Sequence, residues 1–263
     1  MSLRTALWTV MTGAAQKAAK GLRRDFGEVE QLQVSHKGPS DFVSAADIKA
    51  EKVLRAELAK ARPRFGFLME EGGEVKGEDG HHRWIIDPID GTTNFLHGIP
   101  HFAISIGLEM DGDIIAGLIF NPITDEMFYA EKGKGAFLND KRLRVSSRNN
   151  LLDSVIATGI PFHGRPGHKP FLKQLERVMG GVAGIRRMGA ASLDLAYVAA
   201  GRCDGFWEIG LQPWDIAAGI ILVREAGGYI TEIDGGKNAL YTGNVLAANP
   251  KLHKQLSDIL TAA

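Results

Sequence analysis

The segment Trp84–Phe95 reads WIIDPIDGTTNF and sets Asp87 and Asp90 directly after a hydrophobic run. Pro88 fixes the backbone between them, so that both carboxylates can project from the strand's carboxyl end. Two carboxylates this close repel, and each has a raised pKa unless a cation neutralises them. A hard divalent metal with oxygen ligands, Mg²⁺ above all, is the simplest partner. Gly91, Thr92 and Thr93 follow where a helix can begin, and backbone N–H groups at a helix N-terminus attract anions. A cation site beside an anion site points to phosphoryl chemistry. An Asp-Gly pair by itself also reads as a turn, with Asp87 a solvated strand-end acid. Company argues against that reading: Glu70-Glu71-Gly72-Gly73 ends a neighbouring strand, Asp47 opens a helix and Trp214-Asp215 opens another. Taken singly, Asp47 and Asp215 read as helix N-caps.

Periodicity supplies the elements that must position these acids. Leu3, Leu7, Val10, Ala14 and Ala18 fall at helical spacing after Arg4, interrupted by Thr5, Thr9 and Thr12, which predicts an amphipathic helix and no signal peptide. A polar loop at Lys37-Gly38-Pro39-Ser40 precedes a second helix from Ile48 to Ala61. Strands are predicted at Phe65–Met69, Arg83–Ile86, Phe102–Glu109, Ile114–Phe120 and Glu126–Ala130, with turns at Asp111-Gly112 and Asn121-Pro122, an antiparallel meander. Beyond residue 150 the texture alternates. Strands at Ser154–Ala157, Gly205–Ile209 and Val245–Ala248 are interleaved with helices at Pro170–Met179, Ala191–Ala200, Ile216–Ala226 and Pro250–Leu260. The chain therefore reads as one unit over residues 1–263, an α+β half over 1–148 packed on an α/β half over 149–263.

The 263 residues carry 31 basic and 31 acidic side chains, a balance that argues against nucleic acid or an anionic membrane as a bulk electrostatic partner. The longest apolar run, Ile114–Phe120, is far too short to span a bilayer. A single cysteine, Cys203, gives no disulfide framework, so a reduced cytoplasm is the expected compartment and a catalytic thiol is not. His81-His82 lacks zinc-site spacing and reads as a solvated turn, and Gly133-Lys134-Gly135 reads as a hairpin turn and not a nucleotide cradle. His163, Arg165 and His168 read as exposed loop residues. Only the 32 glycines stand out in the composition.

WIIDPIDGTTNF, the paired acids at Glu70-Glu71 and WDIAAGIILVREAGG at Trp214–Gly228 together resemble the inositol monophosphatase family of Mg²⁺-dependent, Li⁺-sensitive phosphomonoesterases. The resemblance extends to DFVSAAD at Asp41–Asp47, ATGIPF at Ala157–Phe162 and GAASLDLAYVAAGRCDGFWEIG at Gly189–Gly210, and these last two look most like the bacterial branch. It implies a layered α-β-α-β-α sandwich of the inositol monophosphatase and fructose-1,6-bisphosphatase type, and a homodimer.

The same resemblance implies two to three Mg²⁺ ions held by Glu71, Asp87, the carbonyl of Ile89, Asp90 and Asp215, with Glu70 not a ligand. Gly72 stands where many members of the family have serine. Gly91 and Thr92 would hold the phosphate through backbone amides, Thr92 and Glu71 would orient the attacking water, and Asp47 would help place that water or a third, weaker metal. Glu208 and the backbone of Gly189, Ala190 and Ala191 would meet the sugar-alcohol hydroxyls, with Asp90 and Asp215 also facing the substrate. The implied reaction is metal-assisted, in-line attack of water with no covalent enzyme intermediate. The substrate expected is inositol 1-phosphate or a related polyol phosphate. A carboxylate at Glu208 can accept from two vicinal hydroxyls and would repel a second phosphate. Histidinol phosphate, fructose 1,6-bisphosphate and nucleotide 3′-phosphates share the chemistry, and a regulatory binding role on the same scaffold is the alternative of a different class.

Overall fold

The computed structural model describes residues 5–28, 34–38 and 41–262. Leu3 and Arg4 of the expected first helix, and Pro39 and Ser40 of the expected loop, lie outside the described residues. Helix α1 (Ala6–Phe26) begins at Thr5, whose hydroxyl accepts the Trp8 N–H. Strands β1 (Val34–Gly38) and β2 (Asp41–Ser44) form an antiparallel hairpin, where the sequence reads as loop, and lead into α2 (Ala45–Ala61). VSHKG and DFVS hold at most two adjacent apolar residues, too few to announce a strand.

Strands β3 (Gly66–Met69), β4 (Gly73–Val75) and β5 (His82–Asp90) precede the single-turn helix α3 (Thr92–Leu96). Then come β6 (Ala103–Met110), β7 (Asp113–Asn121), β8 (Glu126–Glu131), β9 (Gly135–Leu138) and β10 (Lys141–Arg142). These eight strands form one sheet in the order β10-β9-β8-β7-β6-β5-β3-β4. From β5 to β10 it is the antiparallel meander the sequence predicts, with Asp111 and Gly112 both at positive φ in the β6–β7 turn. The exception is β3, which runs parallel to β5 because the chain between them crosses over through the β4 excursion.

The second half comprises β11 (Val155–Thr158), α4 (His168–Met179), β12 (Gly184–Arg186), α5 (Ala191–Ala199), β13 (Gly205–Glu208), α6 (Pro213–Glu225), β14 (Tyr229–Thr231), α7 (Ala239–Thr242), β15 (Val245–Ala248) and α8 (Pro250–Thr261). Its five-stranded sheet has the order β12-β11-β13-β15-β14, parallel between β12, β11 and β13 and antiparallel at β15.

Alternating side chains explain the stacking. Trp84, Ile86, Ile104, Ile106, Leu118 and Phe120 bury against α1 and α2, while Ile85, Ala103, Ile119 and Phe128 face α5 and α6. In the smaller sheet Ala157, Phe206 and Ala247 face α5 and α6, while Ile156, Trp207 and Leu246 face α4 and α8. The order is thus helix pair, sheet, helix pair, sheet, helix pair: the α-β-α-β-α sandwich. Close approach of the central layer depends on glycine. A Cβ at Gly117 of β7 would lie 2.7 Å from the Ala218 carbonyl oxygen in α6, and one at Gly107 of β6 would lie 2.7 Å from the Ala217 Cβ.

Candidate active site

Strand β5 does not stop at Ile86. It continues through Asp90, with an irregularity in its pairing to β6 between Asp87 and Asp90, so both acids sit in a bulged strand end and not beyond it. Asp215 comes from the first turn of α6, and single carboxylate oxygens of Asp87, Asp90 and Asp215 all lie within 4.8 Å of one another. Asp87 and Asp90 are buried.

Asp47 and Asp215 are not N-caps. Ser44 and Gln212 occupy those positions, and each aspartate is the third helical residue of a capping box, its carboxylate accepting the backbone N–H of the cap at 2.8 Å. The helix start therefore fixes the acid's orientation and leaves its other oxygen for the site.

Burial, followed by the nearby charges of Glu70, Asp90 and Asp215, pushes the Asp87 carboxyl well above the usual carboxylate range. Asp90 is also pushed up by burial, to about 6. Its rise is limited because the start of α5 grips the anion: the Ser192 N–H donates to its Oδ2 at 2.7 Å, and the Ser192 hydroxyl and the Ala191 N–H also donate to Asp90. Three acids gathered in a space this small are unfavourable as bare anions. Their all-oxygen donor set suits a hard divalent cation.

The paired glutamates divide differently from the sequence expectation. Glu70 follows β3, its N–H bonded to the Ile86 carbonyl, which aligns it beside Asp87 within hydrogen-bonding reach. Glu71 donates its N–H to the buried Glu51 at 2.8 Å, and its charge acts on Asp47. The structure thus brings Glu70, and not Glu71, to the Asp87–Asp90 pair, because Glu70 is still bonded to Ile86 as the chain leaves β3 whereas Glu71 lies one step further into the turn. Gly72 leaves room for this turn, since a Cβ there would lie 2.9 Å from Glu51 Oε1.

Thr92 has two acceptors for one proton, Asp47 Oδ1 at 3.1 Å and the Ile89 carbonyl at 3.0 Å. Burial pushes the Asp47 carboxyl up, against the lowering effect of its hydrogen bonds from Ser44. Gly91 caps α3 with φ 97°, a left-handed conformation that a side chain would strain. Helix α3 spans five residues, so its start presents individual amides and not a helix dipole.

Asp90, Gly91, Thr92, Gly189, Ala190, Ala191, Glu208 and Asp215 line one cavity of about 350 Å³. Arg165, Arg187 and Asp194 line it too. Arg187 and Asp194 are not singled out by the sequence reading, and Arg165 is a correction to its reading as an exposed loop residue: it stacks 4.5 Å over Phe162 and donates to the Gly210 carbonyl, whereas His163 and His168 are exposed. Ser192 could not be recognised beforehand either, since its partner is 102 residues away. The Glu208 carboxyl is pushed up to about 8 by burial, then by Asp215 and Asp90, with Arg187 and Arg165 opposing. Cys203 is buried, and its thiol is pushed up to about 12 by burial, as expected of an inert cysteine. His81 and His82 pair with Asp111 and Asp79, each at 2.8 Å, and take no part in the cavity.

The model of the inositol monophosphatase family matches residues 4–262. The chain belongs to that family. It is 60% identical over 257 residues to the inositol-1-monophosphatase of Rhizobium meliloti, covering 98% of this chain and 97% of the relative. It is 42% identical over 243 residues to the Nus factor SuhB of Escherichia coli, covering 92% and 91%. Its fold matches the crystal structure of the extragenic suppressor protein suhB of Bartonella henselae with a TM-score of 0.96 at 58% identity, over 98% and 100% of the two chains. Family members act through metal ions, and the acid trio is where this member can hold one. Among the described residues no helix is long and apolar enough to cross a membrane.

Proposed function

We propose that this inositol monophosphatase family member is a Mg²⁺-dependent phosphomonoesterase that hydrolyses myo-inositol 1-phosphate to inositol and phosphate. The observation that carries the reading is the convergence of Asp87, Asp90 and Asp215 within 4.8 Å, opening onto a cavity that also holds Thr92 and Glu208. Asp87, Asp90, Asp215, the Ile89 carbonyl and Glu70 would hold two to three Mg²⁺ ions, Glu70 replacing the Glu71 of the sequence expectation. When bound, the cation supplies Lewis acidity, acidifying a water and offsetting phosphoryl charge.

The chain's own groups do the positioning. Asp47 accepts the Thr92 proton, which leaves the Thr92 oxygen as an acceptor that can orient the attacking water, and Glu71 completes the acidic side of that pair. Amides of Gly91 and Thr92 hold the phosphate. Glu208 and the backbone of Gly189, Ala190 and Ala191 receive the sugar-alcohol hydroxyls. Because the phosphoryl transition state is loose, such positioning and charge compensation supply most of the acceleration.

The protein acts in the cytoplasm as a homodimer, with a small phosphate ester as its partner and no nucleic acid or membrane, and Li⁺ inhibits it. The name of the E. coli relative, a Nus factor, favours a regulatory role as a second reading; the intact acid set of this chain supports catalysis. Phosphate release is to be measured across inositol 1-phosphate, histidinol phosphate, fructose 1,6-bisphosphate and a nucleotide 3′-phosphate, with Mg²⁺, without it and with Li⁺ added. Fastest release from inositol 1-phosphate, only with Mg²⁺ and suppressed by Li⁺, is expected. Release from none of the esters under any condition contradicts the enzyme reading.

A further inference from the structure

Asp194 is a charged residue for which the hydrolytic machinery has no use, and it sits in the same cavity. It lies in the first turn of α5, is 1% exposed, and nonetheless lines the cavity beside Glu208. Its Oδ1 has no hydrogen-bond partner. Buried carboxyl oxygens are nearly always paired, so an orphaned one at a cavity wall marks a place where something else donates.

The donors at the start of α5 are spent elsewhere. The Ser192 N–H and hydroxyl and the Ala191 N–H serve Asp90, and the Asp194 N–H closes the α5 turn on the Ala190 carbonyl. Arg187 supplies a compensating positive field to both Asp194 and Glu208, its guanidinium lying over Gly189, where a Cβ would come within 2.6 Å. Glu208 is held close on the other side, because its carboxyl fills the room left by the missing side chain of Gly159, where a Cβ would fall 1.9 Å from it. Two carboxyl groups, both pushed up by burial so that each keeps an acceptor oxygen even when it holds its proton, and one guanidinium thus share a wall of the cavity that also holds Asp90 and Asp215. A phosphoryl group brings oxygens and no donors at neutral pH. A ring of vicinal hydroxyls brings several donors at fixed spacing.

We propose that Asp194 is a specificity-determining residue that accepts a hydrogen bond from a substrate hydroxyl, forming with Glu208 a two-carboxyl face selective for polyol phosphates. The inference rests on the phosphatase reading above. A site built to bond a substrate hydroxyl rejects an ester lacking it, because its buried acceptor is then left unpaired.

The test compares the wild-type protein with Asp194→Ala and Asp194→Asn on inositol 1-phosphate and on phenyl phosphate, which has no hydroxyls, at saturating Mg²⁺. Expected is a fall of tenfold or more in the ratio of kcat/KM for inositol 1-phosphate to that for phenyl phosphate in Asp194→Ala, carried mainly by KM. Asp194→Asn, which keeps an acceptor oxygen, recovers part of the ratio. The Mg²⁺-induced rise in Tm and the competitive inhibition constant of inorganic phosphate report independently on the fold and on the anion end of the site. If Asp194→Ala does not fold, Asp194→Asn carries the same comparison with a smaller fall expected. Equal losses on the two esters, or no loss on either, overturn the proposal. Failure of the wild-type protein to hydrolyse either ester with any metal overturns the phosphatase reading and this inference with it, an outcome distinct from equal losses in the variants.

Discussion

Asp87 and Asp90 are held in an environment that disfavours their own charge, and that sets the pH behaviour of the metal-free protein. The Asp90 carboxyl titrates at about 6 in the fold, above the ordinary range of about 4 in an unfolded chain. The folded state therefore binds the extra proton, so the stability this group contributes is present below about pH 4 and is lost as pH rises through about 6. Thermal melts of metal-free protein from pH 5 to 7.5 should show Tm falling across that window, and Mg²⁺, proposed to bind the ionised acids, should remove the fall. Asp87→Asn deletes one charge from the cluster and should raise the metal-free Tm at pH 7.5 while abolishing the Mg²⁺-induced rise; each kcal/mol corresponds to roughly 2–4 °C at this size. A Tm lowered by the substitution would contradict the strain argument. In the proposed mechanism the Thr92 hydroxyl orients the attacking water. Thr92→Ser should keep most of the turnover, and Thr92→Val should lose about 100-fold in kcat, as measured by phosphate release.

Helix α6 ties catalysis to packing. Its first turn delivers Asp215, and its body lies on β6 and β7 with glycines at the closest points. Gly117→Ala would force a Cβ to 2.7 Å from the Ala218 carbonyl oxygen. Overpacking of this kind costs about 1–3 kcal/mol, and displacement of α6 should also weaken Mg²⁺ binding, both measurable by denaturant unfolding and titration calorimetry. Unchanged Mg²⁺ affinity would show that α6 does not position Asp215. The long elements were legible in the sequence, since α1, α2, α6, β6 and β7 carry enough periods of apolar residues to declare themselves. The hairpin β1–β2 and strands β4, β9, β10, β12 and β14 were not, because two to five residues depend on neighbours and not on their own pattern. The same limit governs the site. Asp87, Asp90 and Asp215 announced themselves by type and context, whereas the choice of Glu70 over Glu71 depends on how the chain leaves β3. Ser192, Arg187 and Asp194 enter only through packing between distant elements.

At the scale of the molecule, one apolar cluster runs from Ile85 and Ile119 of the large sheet through Leu195, Ile216 and Leu222 to Phe206 and Ala247 of the small one. Helices from the second half thus complete the core of the first, and we expect the two halves to unfold together. Calorimetry should give a single transition with equal calorimetric and van't Hoff enthalpies; two resolved transitions would divide the chain into independent units. The 32 glycines, the one conspicuous feature of the composition, include those at which the central layer closes. The balance of 31 positive and 31 negative charges likewise conceals the site, where acids from both halves converge without a matching number of cations.

The most direct test of this convergence is the rate of phosphate release from inositol 1-phosphate by the wild-type protein and by Asp90→Asn, each with and without Mg²⁺. The wild-type protein should turn over only with Mg²⁺, and the folded variant should not turn over in either condition. Near-normal turnover by Asp90→Asn, or wild-type turnover that is indifferent to Mg²⁺ after chelation, would contradict the assignment of these acids as the metal site.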